Sequence, residues 1–505
     1  MNELKAGAFL SYVSIALNMV VGLIYTPFML RMLGQSEYGL YSLAASIIAY
    51  LTVLDLGFGN AIIRYTAKFR AEGKVREQEE MFGMFFLLYI VIGIIAFLIG
   101  SALAFNADTL FSAKMTPTEV GRTRIILWLM TFNLAFTFPM SIWSSIMTSY
   151  ERFVFQRIIS IVRSVLNPIV MVLLLTIGYK AIAMVIVTTI FNIITLFINW
   201  WYCKNNLKIK IRFAHFKWGF LKEVSIYSFW IFLNAIMDRI YWSTGQFVLG
   251  IFSGTVAIAI YAVAIQLQQF YMMFSTAITG VFLPKITAMV TKENNEHEIS
   301  ELFIRTGRIQ YIIMAFILTG FIIFGRQFIT LWAGANYTEA YPIALLFFIP
   351  LTVPLIQNLG VTILQARNQM KFRSIVYIII ALICLGISIP LAKEYGGIGC
   401  ALATGLALTA GQIVVMNIYY RRCIHLDIPK FWKEIGKMSI IPIILGSSGI
   451  ILLRYFELSN VYSLLLGITL FSTIYIPLFW KKSMNNSERQ LFLQPAIKLV
   501  NRFRG

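Results

Sequence analysis

The sequence predicts an all-α integral membrane protein of about 14 transmembrane helices, arranged as two parallel six-helix repeats plus two extra C-terminal helices. Three observations carry this reading. The 505 residues are 59% hydrophobic and only 13% charged, with a mean hydropathy of +0.78; soluble domains carry roughly 25% charged residues. The apolar runs are continuous and about twenty residues long, the length of a helix crossing a bilayer. A transmembrane barrel would instead show alternating segments of about ten. Finally, short motifs recur at a nearly constant offset across the chain.

The spans run at about 7–30, 39–63, 82–105, 123–147, 158–177, 181–202, 224–250, 256–281, 309–331, 342–364, 373–391, 398–419, 437–454 and 461–480. Each is long enough for a core of roughly 30 Å at about 1.5 Å per residue. The net charge of +20 sits mostly in short loops between these runs, so it reads as a topology signal and not as a nucleic-acid surface. Of 42 Lys and Arg, about 32 fall in one set of alternate loops and about eight in the other, which puts both termini in the cytoplasm. Basic residues on the inner side include Lys68, Arg70, Lys74, Arg76, Lys204, Lys208, Lys210, Arg212, Arg421 and Arg422.

Cys203, Cys384, Cys400 and Cys423 lack paired spacing, so no disulfide is expected. His215, His297 and His425 are the three histidines; all fall in predicted cytoplasmic loops, and no metal site is expected. The first apolar stretch is too long for a cleaved leader and lacks a small-residue cleavage site. His215, Phe216 and Trp218, between Lys210 and Lys222, suggest an interfacial amphipathic segment, as does the tail from Ser487 to Arg504.

The repeat divides the chain. Leu17-Asn18 and Leu33-Gly34 recur as Leu233-Asn234 and Leu249-Gly250, and Tyr41 with Ala44 as Tyr261 with Ala264. Asn199, Trp201 and Tyr202 recur as Asn417, Tyr419 and Tyr420. Six spans separate the copies, so they share one orientation and are related by an axis along the membrane normal. The expected divisions are an N-lobe at 1–203, a basic linker at 204–223, a C-lobe at 224–420, spans 13 and 14 within 421–480, and an amphipathic tail at 481–505. Parallel repeats put a substrate path between two bundles whose rocking alternates access.

Ionisable residues at membrane depth are rare and face a wet cavity or a partner. Asp238 and Arg239 sit side by side in the seventh span, and neighbours on a helix point about 100° apart, so each needs a partner elsewhere. Arg31, Arg64 and Arg163 lie nearer span ends, where snorkelling is open to them. Asp55 and Asp238 are the acids at depth, suited to coupling an ion or holding an arginine. Polar stripes line several spans. Ser11, Ser14, Asn18 and Tyr25 share one face of the first; Thr188, Asn192, Thr195 and Asn199 share one of the sixth. Arg239, Ser243 and Gln246 stack on the seventh, with Asn234, Asp238 and Trp242 alongside, and Gln266, Gln268 and Gln269 mark the eighth. The expected substrate-binding set is Arg31, Arg64, Arg163, Arg239, Asn18, Tyr25, Ser243, Gln246, Gln266 and Gln269. A guanidinium fork suits phosphate or pyrophosphate; amides, hydroxyls and aromatic rings suit sugars without being specific to them.

Asp55-Leu56-Gly57-Phe58-Gly59-Asn60-Ala61, followed by Arg64-Tyr65, resembles the second-helix signature of polysaccharide-repeat flippases of the Wzx type. So does the opening Tyr25-Thr26-Pro27 to Leu33-Gly34, then Tyr38-Gly39-Leu40-Tyr41. Leu331-Trp332-Ala333-Gly334 and Gly396-Gly397-Ile398-Gly399 look like second-half equivalents. That family belongs to the multidrug/oligosaccharidyl-lipid/polysaccharide (MOP) exporter superfamily. The resemblance implies two six-helix lobes around a cationic lumen that flips undecaprenyl-pyrophosphate-linked oligosaccharide to the outer leaflet for O-antigen, capsule or exopolysaccharide synthesis. It also implies coupling to H+ or Na+, no other cofactor, contact with membrane lipids, and pathway partners such as a polymerase and glycosyltransferases. Many members have twelve spans; fourteen is the pattern of the lipid II flippase branch, by analogy with which spans 13 and 14 would cradle a polyprenyl tail. A cation-coupled drug antiporter of the same fold would favour an acidic lumen. A polyprenyl glycosyltransferase or polymerase would need an acidic pair or a carboxylate-bearing outer loop. The longest outer loop, 106–121, is short, with Asp108 and Glu119 as its main acids, so no enzyme is expected.

Overall fold

Backbone amides in hydrocarbon have no water to bond, so a chain of apolar runs must satisfy them within each segment, and helices do this. The computed structural model describes residues 3–213, 218–279, 296–367, 369–456, 458, 460–491 and 493, and all regular structure among them is helical. The elements are α1 (Glu3–Leu51), a 3-10 turn (Thr52–Asp55), α2 (Phe58–Ala71), α3 (Val75–Phe105), α4 (Ala107–Phe111), α5 (Pro117–Ser149), α6 (Phe153–Thr176), α7 (Ala181–Asn205), α8 (Trp218–Phe252) and α9 (Thr255–Thr279). There follow α10 (Glu296–Trp332), α11 (Ala340–Ile356), α12 (Asn358–Ala366), α13 (Met370–Leu408), a π-helical stretch (Thr409–Val415), α14 (Met416–Arg422), α15 (Ile428–Leu452) and α16 (Val461–Lys482).

Among the described residues, ten helices are long and apolar enough to cross a membrane, or eleven when the pair α11 and α12, bent by 44°, counts as one broken span. The chain is thus an all-helical, multi-pass membrane protein. Two of the ten are rods of 62 residues (Leu10–Ala71) and 53 residues (Met370–Arg422). Both contain breaks: the backbone leaves helical geometry at Gly34 and at Gly396.

The break after Asp55 shows how the sequence places such an interruption. Leu56 and Gly57 take left-handed backbone angles, with φ of 53° and 75°. Glycine adopts such angles without strain, and the Leu-Gly pair turns the chain between the 3-10 turn and α2. The Asp55 carboxylate accepts hydrogen bonds from the backbone N–H groups of Gly57 and Gly59 and from Tyr89 Oη at 2.7 Å. It therefore caps donors that the interrupted helix leaves without a partner.

By proximity along the fold the chain forms two compact units, one of residues 1–263 with 374–404, the other of 264–373 with 405–505. In the first, Phe58, Tyr65, Phe82, Phe85, Tyr89, Phe138 and Trp143 make a buried aromatic core. The irregular segment 207–213 is laid against it. Leu207, Ile209 and Ile211 face the core while Lys208, Lys210 and Arg212 are exposed, with a left-handed turn at Lys208, φ 52°. Arg212 N donates to Glu79 O at 3.1 Å. Of the expected interfacial segment, His215 and Phe216 lie outside the described residues, and Trp218 is exposed.

The second unit is tied by an ion cluster that sequence reading did not nominate. Arg308 on α10, 6% exposed, donates from Nε and Nη2 to both oxygens of Glu488 at 2.6 and 3.0 Å. Its Nη1 donates to Glu434 on α15 at 2.7 Å, and Nη2 also to Ser483 O at 3.2 Å. Glu488, 2% exposed, also accepts from Asn485 N while its own N–H bonds Asn485 Oδ1, both at 2.9 Å, so it starts the tail helix as well as anchoring it. The tail beyond residue 493 lies outside the described residues.

Removing one partner from such a cluster strands a buried charge at a cost of about 3–5 kcal/mol. Arg308→Ala is therefore expected to lower the thermal unfolding midpoint in detergent sharply and to release the tail to proteolysis near Ser483. Lys437→Ala, which removes only an exposed partner of Glu434 at 3.0 Å, should leave both readouts near wild type.

Candidate functional site

A helix-spacing pattern builds the candidate site, within the first compact unit. Ser160, Arg163, Ser164, Asn167 and Pro168 recur at three, four, seven and eight residues and so share one face of α6. Asn18, Val21 and Gly22 do the same on α1. These two faces line an open cavity of about 410 Å³. Pro168 lacks the N–H that would bond the carbonyl four residues back, which leaves that carbonyl, on Ser164, without its helical donor at the cavity wall.

Arg163 is the charge in this cavity. Its Nη1 donates to Asn192 Oδ1 on α7 at 3.1 Å. The Asn192 amide is in turn fixed, its Nδ2 donating to Asn133 Oδ1 and Thr137 Oγ1 on α5, both at 2.8 Å. Among the described residues no carboxylate pairs with Arg163, so it is oriented by neutral groups and keeps its full positive charge. It stands ten residues into α6, which begins at Phe153, roughly 15 Å along the helix axis from its start. Asn167 Oδ1 is buried with no hydrogen-bond partner among the described residues, and Asn18 Nδ2 makes only a long bond to Ser14 Oγ at 3.4 Å.

The other expected site residues are distributed as follows. Tyr25 Oη is buried and has no hydrogen bond among the described residues. Arg31 is exposed on α1, three residues before the break at Gly34, and Arg64 is exposed on α2 with its guanidinium carbon 5.9 Å from the Tyr65 ring centre. Asp55 is half-buried at the helix break described above. Asp238 and Arg239 on α8 are both exposed, not enclosed by helix packing, while Ser243 is buried and Gln246 half-buried. Gln266 and Gln269 belong to the second compact unit, half-buried and exposed respectively. The structure therefore brings Asn18 and Arg163 together in one cavity. Asn133, Thr137 and Asn167 were missed. The spacing of Ser160, Ser164 and Asn167 around Arg163, ending on a proline, was the available signal.

These features define an all-helical, multi-span membrane protein with a polar, cation-bearing cavity inside one helical unit. Residues 28–342, more than half the chain, match the family described as "Polysaccharide biosynthesis protein", and the chain belongs to that family. A Shigella flexneri protein described as "Putative O-antigen transporter" is 19% identical over 401 residues, covering 78% of this chain and 93% of that one. The fold is shared with the lipid II flippase MurJ in an inward closed conformation, at a TM-score of 0.74 and 17% identity over 97% of this chain and 99% of that one. It is also shared with an inward-facing multidrug resistance MATE family transporter of the MOP superfamily, at a TM-score of 0.62 and 13% identity over 79% and 92% of the two chains. A MOP superfamily transporter from Pyrococcus furiosus, whose binding pocket is described as of reverse polarity, matches at a TM-score of 0.55 and 12% identity over 80% and 93%.

If the uncompensated charge of Arg163 is what the cavity offers, supplying a counter-charge should cancel it. Asn192→Asp places a carboxylate at the atom that now accepts from Arg163. It is expected to cut complementation of a transporter-deficient strain tenfold or more, equivalent to about 1.4 kcal/mol, at unchanged abundance and thermal stability. Arg163→Gln should lose activity similarly. Full activity in Asn192→Asp would show that the free charge is not used.

Proposed function

We propose that this protein flips undecaprenyl-pyrophosphate-linked oligosaccharide repeat units from the cytoplasmic to the outer leaflet by alternating access, for surface polysaccharide synthesis. The observation that carries the reading is Arg163, held by neutral amides beside a cavity of amides and hydroxyls. A guanidinium without a counter-ion attracts a diphosphate, and amides and hydroxyls bond sugars. Family membership and the O-antigen relative support the same cargo. A drug antiporter of this fold handles cations, and a positive cavity opposes that.

In this reading the protein sits in the bacterial cytoplasmic membrane with both termini inside. Counting the two long rods twice, and adding the bent pair and α8 once each, brings the ten candidate helices to fourteen crossings. The two lobes are 1–203 and 224–420, with spans 13 and 14 beyond. Exposed charges on a membrane-crossing helix are tolerable where they meet water, so Asp238 and Arg239 on α8 face the aqueous path. Arg31, Arg64, Tyr25, Ser243, Gln246, Gln266 and Gln269 serve as further polar contacts along it. Asp55 carries the coupling ion, H+ or Na+. Glycosyltransferases and a polymerase of the same pathway supply and consume the cargo.

The reading is tested in liposomes holding purified protein and a fluorescent lipid-linked oligosaccharide. Protein-dependent loss of inner-leaflet label is expected, with no loss for a cationic dye; dye transport without lipid transport would reject it. Asp55→Asn separates coupling from capping in the same assay. Asparagine caps a helix as well as aspartate does and still accepts from Tyr89, so stability should be retained while ion-driven flipping falls at least tenfold. Unchanged flux would leave Asp55 a cap alone.

A further inference from the structure

At one end of the first compact unit, one carboxylate joins three separated segments. Glu119, in the first turn of α5, accepts from Ser36 Oγ on α1 at 2.5 Å and from Thr255 Oγ1 at the start of α9 at 2.9 Å, both at its Oε1. Its Oε2 accepts from Thr116 N at 2.9 Å and Thr116 Oγ1 at 3.0 Å, which closes a capping box and fixes the carboxylate's direction. The α8–α9 turn is thus tied to the first two spans and to the start of α5.

The surrounding backbone is packed to match. A Cβ on Gly39 would collide with the carbonyl of Thr255, so a glycine is required for this approach, and Gly250 lies against the fully buried Leu43. On the other side of the same turn, Ser253 Oγ donates to Ala392 O at 3.5 Å, and Lys393 Nζ stands 4.9 Å from the Phe252 ring centre. Beside it, Glu37, 4% exposed, pairs with Arg122 and accepts from Ala181 N at 3.3 Å, which steadies α1 against α5 and α7. Here Glu37 serves within spans 1 to 6, whereas Glu119 reaches across to the α8–α9 turn.

We propose that Glu119 is the clasp of the outer gate, holding the α8–α9 turn against α1 and α5 so that the cavity is shut from the outer side until the clasp opens. Glu119 touches no cargo; it is a positioning residue for the transport cycle. The strength of the clasp comes from charge-assisted bonds to two hydroxyls, which rupture together when α9 withdraws. The inference rests on the alternating-access part of the proposed function and not on the identity of the cargo.

Two measurements test it, both in a Cys423→Ser background that removes the exposed thiol. Leu43→Cys, buried beneath the clasp, is expected to react slowly with a membrane-impermeant maleimide in whole cells. Adding Ser36→Ala and Thr255→Val, which leaves the Thr116 cap intact, should raise the labelling rate at least fivefold. An unchanged rate would overturn the clasp. In the second, Ser36→Cys with Thr255→Cys is oxidised in membranes. A cross-link that cuts flipping below a tenth, restored by reductant, is expected. Failure to cross-link, or a cross-linked protein that still transports, would equally overturn it. The labelling arm needs no cargo, so its failure is distinguishable from the absence of lipid-linked oligosaccharide transport in the wild type.

Discussion

The constraint on which the rest depends is that an interrupted helix in hydrocarbon must repair its own backbone bonds. At Asp55 a carboxylate supplies the repair, taking the N–H groups of Gly57 and Gly59. In the second unit the break between α11 and α12 falls at Gln357, whose side chain is held by amides while a hydroxyl meets the backbone. Gln357 and Asn417 exchange bonds at 2.9 and 3.2 Å, and Trp432 Nε1 donates to Asn417 Oδ1 at 2.9 Å. Ser275 Oγ takes the carbonyl of Leu355 at 2.8 Å, and Asn417 Nδ2 also takes the carbonyl of Ile413, inside the π-helical stretch, at 2.7 Å. Polar residues that look like candidate ligands in the sequence are therefore partly spoken for by the backbone. A binding role has to be argued from the groups left over, such as Asn167 Oδ1.

Two buried or half-buried arginines illustrate the difference. Arg308 meets two carboxylates and a backbone carbonyl, which neutralise it and leave it structural. Arg163 meets one neutral amide that is itself locked by Asn133 and Thr137. The first arrangement holds elements together; the second holds a charge in place without cancelling it. The same residue type is glue in one unit and an electrostatic source in the other, and only its partners decide which.

Helix character was legible because hydropathy over twenty residues directly reports on the solvent. The break after Asp55 was only partly legible: two glycines stand beside it, but nothing in the sequence says that the carboxylate bonds their N–H groups. Asn18 and Arg163 were nominated from depth and polarity, and they do line one cavity. Asn133 and Asn167 were not, because a lone amide in an apolar run is indistinguishable from interhelical glue until its neighbours are known. The Arg308 cluster escaped for a different reason. Its partners lie 126 and 180 residues away, and no local period connects them.

A fold shared by flippases and drug transporters does not choose a cargo; the site does. In the proposed function the choice is electrostatic. One positive charge at about 5 Å, in a medium of effective dielectric about 20, repels a monovalent cation by roughly 3 kcal/mol and attracts a monovalent anion by as much. That is a discrimination of the order of ten thousandfold between the two signs, before any hydrogen bond is counted. A diphosphate, with more than one negative charge, gains further. A carboxylate at position 192 in place of the amide would remove most of this difference, so the neutrality of Asn192 matters as much as the charge of Arg163. The site also has to let its cargo go. In the proposed reading, an arginine steered by one amide at an open cavity would bind through few contacts, which suits a carrier that must release what it moves.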